Sequence, residues 1–256
     1  MAVLRIQGGQ SLHGEVTATG NKNAALPLLS ACLLTDEPVT LYNVPDIGDV
    51  HNMRMLLESL GVTIETLDTH SWRIHAAQVR RADLDPDICR RIRASILLAG
   101  PMLNRTGGID LPPPGGDVIG RRRVDTHFLA LSRLGADIRY SEREFTVSAP
   151  HRLVGADILL DEASVTATEN SIMAAVMASG RTLIRNAASE PHIQDLCHLL
   201  NTLGGRIANL GSNTLTIDGV DRLHGGEFRI GADYIEVVSY IAAAVVTGGS
   251  IRIHQA

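Results

Sequence analysis

The residues best suited to chemistry lie in one stretch, Leu111 to Arg123, which reads LPPPGGDVIGRRR. Three prolines fix the backbone, Gly115 and Gly116 free it, and a lone carboxylate, Asp117, follows. Gly120 then precedes three consecutive arginines, Arg121, Arg122 and Arg123. Proline locks φ and glycine permits φ > 0, so the pattern predicts a shaped loop rather than helix or strand. An acid beside clustered guanidinium groups can bind an anion and move a proton, although the same residues would also make a solvated surface turn. A second chemical singularity is Lys22. Of the 23 basic residues every other one is arginine. The chain therefore uses a compact, flexible ammonium once, in Thr19-Gly20-Asn21-Lys22-Asn23, and a chemical requirement is the better explanation.

The elements that position these residues recur. Strands are expected at Val3 to Gln7 and Ser11 to Thr17, then an apolar helix from Ala24 to Leu34 and a β-rich run from Val39 to Val44. Asp49 to Leu60 reads as an amphipathic helix with Met53, Leu56, Leu57 and Leu60 on one face, capped by Gly61. Strands follow at Val62 to Thr66 and Trp72 to His75. The order repeats. Arg93 opens an apolar helix to Leu103, Ile109 begins a strand, a second helix ends at Leu134-Gly135, and strands follow at Asp137 to Tyr140 and Glu144 to Ser148. A third copy has helix Thr168 to Met177, strand Thr182 to Arg185, a helix ending at Leu203-Gly204, and strands Arg206 to Asn209 and Thr214 to Ile217. The leucine–glycine landmarks at 60, 134 and 203 are 74 and 69 residues apart. This is an internal repeat of about 70 residues with βαβαββ content, each unit supplying part of a shared core. A fourth copy opens with helix Asp233 to Thr247 and strand Ser250 to His254, and its second half is expected beyond residue 256.

Composition bounds the function. A chain of 256 residues that is 45% hydrophobic is ordinary globular material. A net charge of −5 and 3% aromatic residues argue against a general nucleic-acid binder. No apolar run approaches membrane-spanning length, and MAVLRIQGG lacks a signal-peptide core. Cys32, Cys89 and Cys197 are scattered, odd in number and not at metal-ligand spacing. The expectation is a reduced, cytoplasmic protein with no metal or cofactor and no nucleic-acid or membrane partner.

Four segments together carry a resemblance: Lys22-Asn23 at a helix start, Arg93 in RASILLAGP, the loop PPPGGDVIGRRRVDTH, and ASVTATEN at 163–170. In order and spacing they resemble the UDP-N-acetylglucosamine 1-carboxyvinyltransferases, enolpyruvyl transferases that open peptidoglycan synthesis. The Lys-Asn start and the Pro-Gly-Gly-x-x-x-Gly-x-Arg loop are specific to that family. The sister 5-enolpyruvylshikimate-3-phosphate synthases share the repeat but not the loop. The resemblance implies an inside-out α/β barrel domain of three βαβαββ units, with helices inside and sheets outside, facing a second such domain across a cleft. On that reading 1–20 are N-terminal strands of the second domain, 21–226 the three-repeat domain, and 227–256 the start of the second. It also implies enolpyruvyl transfer from phosphoenolpyruvate to the 3′-hydroxyl of UDP-N-acetylglucosamine, with these two small molecules as partners. Lys22 and Arg122 match positions that contact the phosphoenolpyruvate phosphate, and Asn23 a polar neighbour. Arg93 matches the nucleotide-sugar side. Arg123, Val124, Asp125 and Thr126 match the stretch lining the uridine, with Ser164, Val165 and Thr166 facing it.

Taken singly, each residue keeps a second reading. Arg93 and Arg121 to Arg123 can be solvated charges, Asp125 a helix-terminal charge complement, and Ser164 and Thr166 turn residues. Thr168 and Glu169 can mark a helix start, and His127 reads better as a packed histidine than as a base.

The chain departs from the family at two places. Asp117 stands where most members carry a cysteine, a natural variant that keeps a proton donor but implies resistance to the epoxide fosfomycin. The family's general base, an aspartate of the second domain, is not among the 256 residues, so these residues alone are expected not to complete a turnover. The apolar face of the last helix (Ile235, Val238, Ile241, Val245) then predicts self-association. Two other readings remain: a non-catalytic anion- or nucleotide-sugar-binding domain, and a shikimate-type transferase.

Overall fold

A computed structural model of the chain describes residues 3–5, 7–116, 123–141 and 144–256. The three leucine–glycine pairs end three helices in the same way. Gly61, Gly135 and Gly204 sit at φ 96°, 100° and 98°. In each, the glycine N–H bonds the carbonyl three residues back and the next N–H bonds the one five back: Gly61 to Glu58 and Val62 to Leu57, Gly135 to Ser132 and Ala136 to Leu131, Gly204 to Asn201 and Gly205 to Leu200. This double closure needs a left-handed residue, which glycine supplies without a Cβ penalty. The capping leucine's own carbonyl accepts from Arg80, Val154 and His224, about twenty residues downstream each time. The repeat is therefore one of hydrogen bonding as well as of sequence.

In chain order, β1 (His13–Thr17) precedes the first repeat. That repeat holds α1 (Lys22–Ala31, prolonged by a 3₁₀ turn over Cys32–Leu34), β2 (Val39–Tyr42), α2 (Gly48–Ser59), β3 (Thr63–Asp68) and β4 (Ser71–His75). A short helix, α3 (Pro86–Arg91), leads into the second, where a 3₁₀ segment, Arg93–Leu98, runs into α4 (Ala99–Thr106). After it come β5 (Gly108–Leu111), α5 (Asp125–Arg133), β6 (Asp137–Tyr140) and β7 (Phe145–Ser148). β8 (Asp157–Leu159) precedes the third, made of α6 (Val165–Ala175), β9 (Arg181–Arg185), α7 (Pro191–Thr202), β10 (Ile207–Ala208) and β11 (Thr214–Asp218). β12 (Gly226–Arg229), α8 (Tyr234–Thr247) and β13 (Ser250–His254) follow.

Each repeat builds one antiparallel sheet, ordered β2-β4-β3, β5-β7-β6 and β9-β11-β10. Two of these sheets gain a parallel fourth strand from the repeat before: β8 lies beside β9, and β12 beside β2. Because β12 follows the third repeat and pairs with the first, it joins the last unit back to the first. The corresponding stretch after the first repeat forms no strand among the described residues; there Arg81 pairs with Asp110 of β5 at 2.5 Å. Helices occupy the inside. In α1 every residue from Ala24 to Ala31 is buried, and in α6 every residue from Ala167 to Ala175. α1 is small or apolar over that run, while α6 also buries Thr168, Glu169, Asn170 and Ser171, and both are packed on every side. The sheets cover them with one face, Leu215 and Ile217 of β11 pointing in while their neighbours stay partly exposed. The α/β three-unit architecture expected from the repeat is the one observed.

Several local expectations need correction. Val3, Leu4, Arg5 and Gln7 are in no strand, and Val3 and Leu4 are 90% and 87% exposed with no edge to pair with. Arg93 opens a 3₁₀ segment rather than an α-helix. α3, β8 and β12 were not foreseen. Asp85-Pro86 is a clear start signal for α3, with Asp85 accepting from the Asp87 N–H. β8 and β12 are three or four residues long and take their stability from their neighbours, which no local pattern reveals. α8 packs on β13, which pairs in parallel with β1 from His13↔Ser250 to Thr17↔His254. No residue of α8 is buried, and Val245 and Val246 are 74% and 82% exposed.

Candidate active site

The repeat brings helix starts together. One cleft of about 650 Å³ is lined by Asn23 from the first turn of α1, Arg93 from the start of the 3₁₀ segment before α4, and Ser164, Val165 and Thr166 from the start of α6. Arg123, two residues before α5, and Glu190 and His192 at the start of α7 complete it with Glu162, Ala163 and Tyr234. First and second helices of the repeats thus aim their N-termini at one place. Unsatisfied N–H groups and the helix dipole favour negative charge at such ends, and Arg93 and Arg123 add full positive charge. The cleft can take an anion.

Hydrogen bonds fix the helix starts relative to one another. Asn21 caps α1, its Oδ1 accepting from the Ala24 N–H at 3.1 Å, while its own N–H donates to the Gly231 carbonyl. Lys22 Nζ is bonded to Asp49 Oδ2 of α2 at 3.0 Å, both side chains partly exposed. Arg93 Nη2 donates to the Arg123 carbonyl at 2.7 Å. Arg123 in turn pairs with Asp125. Asn170, buried in α6, donates to the Ile96 carbonyl (2.8 Å) and to His127 Nδ1 (3.2 Å), and accepts from the Gly100 N–H at 2.7 Å. With Nδ1 thus accepting, His127 Nε2 carries the proton and donates to Thr166 Oγ1 at 3.1 Å. Burial, helped by the Arg93 charge, pushes the His127 imidazole down to about 3. It is a neutral packed histidine, as expected, and it holds Thr166 at the cleft wall.

The sequence-derived site residues divide into three groups. Asn23, Arg93, Arg123, Ser164, Val165 and Thr166 line the cleft together. Lys22 and Asp125 are turned to Asp49 and Arg123, Val124 is half-buried against the core, and Thr126 is buried with its hydroxyl donating to Asp161 Oδ1 at 2.7 Å. None of these four lines the cleft. Asp117, Arg121 and Arg122 lie outside the described residues. The ends of their loop are nevertheless placed. The Gly115 and Gly116 N–H groups donate to the Cys89 and Arg90 carbonyls of α3. A Cβ at Gly115 would stand 1.8 Å from the Arg90 oxygen, and one at Gly116 3.4 Å from the Arg93 backbone nitrogen and Cβ. Gly115 is needed for close approach and Gly116 for its φ of 94°, and both described ends of the loop, Gly116 and Arg123, rest on Arg93.

Glu162, Glu190, His192 and Tyr234 were missed, and Glu169 was given no more than a helix-start reading. Glu190, like Asp49 and Asp125, is an acid at the start of the second helix of its repeat, although the three stand at different distances from the leucine–glycine landmark. Glu169 lies in the middle of α6, fully buried, and burial with the nearby Glu190 charge holds its carboxyl well above the usual range. Among the described residues no cluster of three or more His, Cys, Asp or Glu could hold a metal ion.

A family model described as EPSP synthase (3-phosphoshikimate 1-carboxyvinyltransferase) matches residues 6–256. The chain belongs to that family. It is similar to the UDP-N-acetylglucosamine 1-carboxyvinyltransferase of Treponema pallidum (strain Nichols), 53% identical over 99% of this chain and 59% of the relative. It is likewise 53% identical to the protein of that name from Bradyrhizobium diazoefficiens, over 98% of this chain and 58% of the relative. Its fold matches the crystal structure of the enolpyruvyl transferase NikO from Streptomyces tendae, with a TM-score of 0.80 at 24% identity over 92% of this chain and 56% of that one. An EPSP synthase from Acinetobacter baumannii gives 0.74 at 18% identity over 94% and 54%. At those identities the likeness is one of fold. The chain spans about three-fifths of the length of the curated relatives it matches. No described helix is long and apolar enough to cross a membrane.

Proposed function

We propose that this family member carries the greater part of a UDP-N-acetylglucosamine 1-carboxyvinyltransferase, acting in the cytoplasm in peptidoglycan synthesis. The reaction moves the enolpyruvyl group of phosphoenolpyruvate to the 3′-hydroxyl of UDP-N-acetylglucosamine and releases phosphate. The observation that carries the reading is the single cleft in which Asn23, Arg93, Arg123 and the start of α6 meet, in a chain half identical to proteins of that name. A doubly anionic nucleotide-sugar suits converging helix N-termini and two guanidinium groups. Lys22 and Arg122 hold the phosphoenolpyruvate phosphate, and Asp117 gives a proton to the vinyl carbon as the sugar oxygen bonds to C2. Loss of that proton and breakage of the C2–phosphate bond then yield the enol ether and phosphate. Arg93, Arg123 to Thr126 and Ser164 to Thr166 hold the nucleotide-sugar. Residues 21–226 form the three-repeat domain, with 1–20 and 227–256 belonging to a second domain whose aspartate is the general base. The bare apolar face of α8 is where that domain packs, and in its absence the 256 residues self-associate.

The test is phosphate release from phosphoenolpyruvate by this chain and by a version extended to the relatives' length. Release by the extended chain alone, dependent on UDP-N-acetylglucosamine, is expected. Release without the nucleotide-sugar, or by neither chain, refutes the assignment and leaves a binding domain of the same fold.

A further inference from the structure

Among the described residues five buried side-chain polar atoms have no hydrogen-bond partner: both carboxylate oxygens of Glu169, Thr182 Oγ1, Glu190 Oε2 and His192 Nε2. Glu190 and His192 line the cleft, and Glu169 lies in the core close to the Glu190 charge. Buried polar groups are almost always paired, so a concentration of unpaired ones beside a cavity marks where a ligand supplies the partner. Glu190 occupies the N-cap position of α7, yet its side chain makes no capping bond, whereas Asn21, Asp85, Ser164 and Asp233 all cap their helices. Pro191 follows and needs no N–H partner. The Glu190 carboxylate is spared from structural duty and faces the cleft instead.

His192 is 3% exposed and stacks on Tyr234, with the planes 8° apart and the Tyr234 hydroxyl 3.3 Å from Nδ1. Both rings line the cleft. The Tyr234 hydroxyl can donate to Nδ1 or accept from it, so the unpartnered Nε2 is a donor in one tautomer and an acceptor in the other. Burial lowers the His192 pKa and keeps the ring neutral. The wall therefore offers one strong acceptor, Glu190 Oε2, beside an imidazole nitrogen, His192 Nε2, that donates or accepts with the tautomer. A hydroxyl or a secondary amide, each both donor and acceptor, satisfies that pair; a phosphate, which only accepts, does not. Glu169 stands behind, its carboxyl held well above the usual range by burial and the Glu190 charge.

We propose that Glu190 and His192 form a hydroxyl- and amide-binding subsite of the cleft, distinct from Arg93 and Arg123, that takes the sugar part of a phosphate-bearing ligand. An N-acetylamino sugar as the occupant rests on the function proposed above; the donor–acceptor character of the wall does not. The cleft is then bipolar, with guanidinium groups and helix starts for the phosphates and an acid–imidazole pair for the sugar.

Calorimetric titration of the chain extended to its relatives' length, with two ligand pairs, tests this. The pairs are UDP-N-acetylglucosamine against UDP, and N-acetylglucosamine 1-phosphate against inorganic phosphate. The unsubstituted protein should prefer the sugar-bearing member of each pair. Glu190→Gln, which keeps the shape but loses the charge, should reduce that preference about 10- to 100-fold while changing UDP affinity less than about threefold. His192→Phe, which keeps the stack on Tyr234, should reduce it as well. UDP binding without a sugar preference, or equal losses for UDP and UDP-N-acetylglucosamine in Glu190→Gln, overturns the subsite while leaving the nucleotide reading intact. A sugar-phosphate preference with no affinity for UDP does the reverse. Binding of none of the four ligands refutes both.

Discussion

Replacing Glu169 by glutamine should make the fold more stable, and by an amount that grows with pH. The carboxyl is fully buried, neither oxygen has a hydrogen-bond partner, and the Glu190 charge is near, so its pKa is raised well above 4.5 in the folded chain. In the unfolded chain it titrates near its ordinary value. Below that value the group is neutral in both states and contributes no pH dependence. Above it the unfolded chain releases the proton while the folded chain keeps it, so stability falls by about 1.4 kcal/mol per pH unit. The loss stops when pH passes the folded pKa, where both states are ionised. Glutamine is neutral throughout, so the variant-minus-wild-type difference in unfolding free energy should rise at that slope from about pH 5 and then level off. The other ionisable groups are present in both chains and largely cancel in the difference. Urea unfolding of the two proteins at half-unit pH steps from 4 to 9 reads the slope, and the break point reads the folded pKa. A difference that stays flat across that range would show that Glu169 ionises alike in both states, and would remove the neutral acid from behind the subsite.

The three capping glycines share one φ but meet different surroundings, which separates backbone strain from steric clash. Gly135→Ala meets nothing within 4 Å and should cost about 1–2 kcal/mol in unfolding free energy, the left-handed penalty alone. Gly61→Ala brings its Cβ to 2.7 Å from the Gln78 carbonyl oxygen and should cost measurably more; equal losses at the two sites would refute the argument. Lys22→Met removes a partly exposed ion pair with Asp49, so the unfolding free energy should change by less than about 1 kcal/mol. Phosphate release by the extended chain should nonetheless drop at least about 100-fold, and retention of turnover would take Lys22 out of the site. Fosfomycin should leave the intact mass of the extended chain unchanged, because Asp117 offers no thiolate to open the epoxide; an adduct on Asp117 would count against this.

Much of the fold was legible because the determinants of the repeat are local. A leucine buried at the helix end and a glycine at φ near +100° are visible as letters, and they recur three times. Strands such as β6 and β13 carry clear alternation and fell where expected. β8 and β12 did not, because each exists only as the parallel neighbour of a strand in another repeat. The cleft was legible in the motifs: Asn23 beside the single lysine, and the arginine at 93 that opens a helical run, both line it. Glu190 was not, since an acid before a proline at a helix start reads as ordinary capping. That it makes no capping bond is a fact of three dimensions. Glu169 has the opposite history, reading as a first-turn acid and proving to be buried mid-helix.

Threefold repetition explains why one cleft holds parts of so many segments. A unit whose first helix is buried must lay that helix inside the sheets, and three such units related by a closed arrangement point their helix starts the same way. The β12–β2 pairing, which ties the last unit to the first, enforces that closure. Residues distant in sequence then meet at one end: Asn23, Arg93 and Ser164 from the first helices and Glu190 from a second. The repeats have since diverged in chemistry while keeping position. The first two neutralise their acids with Lys22 and Arg123, at Asp49 and Asp125. The third leaves Glu190 with a buried oxygen that has no partner among the described residues, which makes its corner of the cleft an acceptor rather than an anion site. Symmetric architecture thus yields an asymmetric pocket, and the asymmetry is what lets one cleft tell the phosphates of a ligand from its sugar.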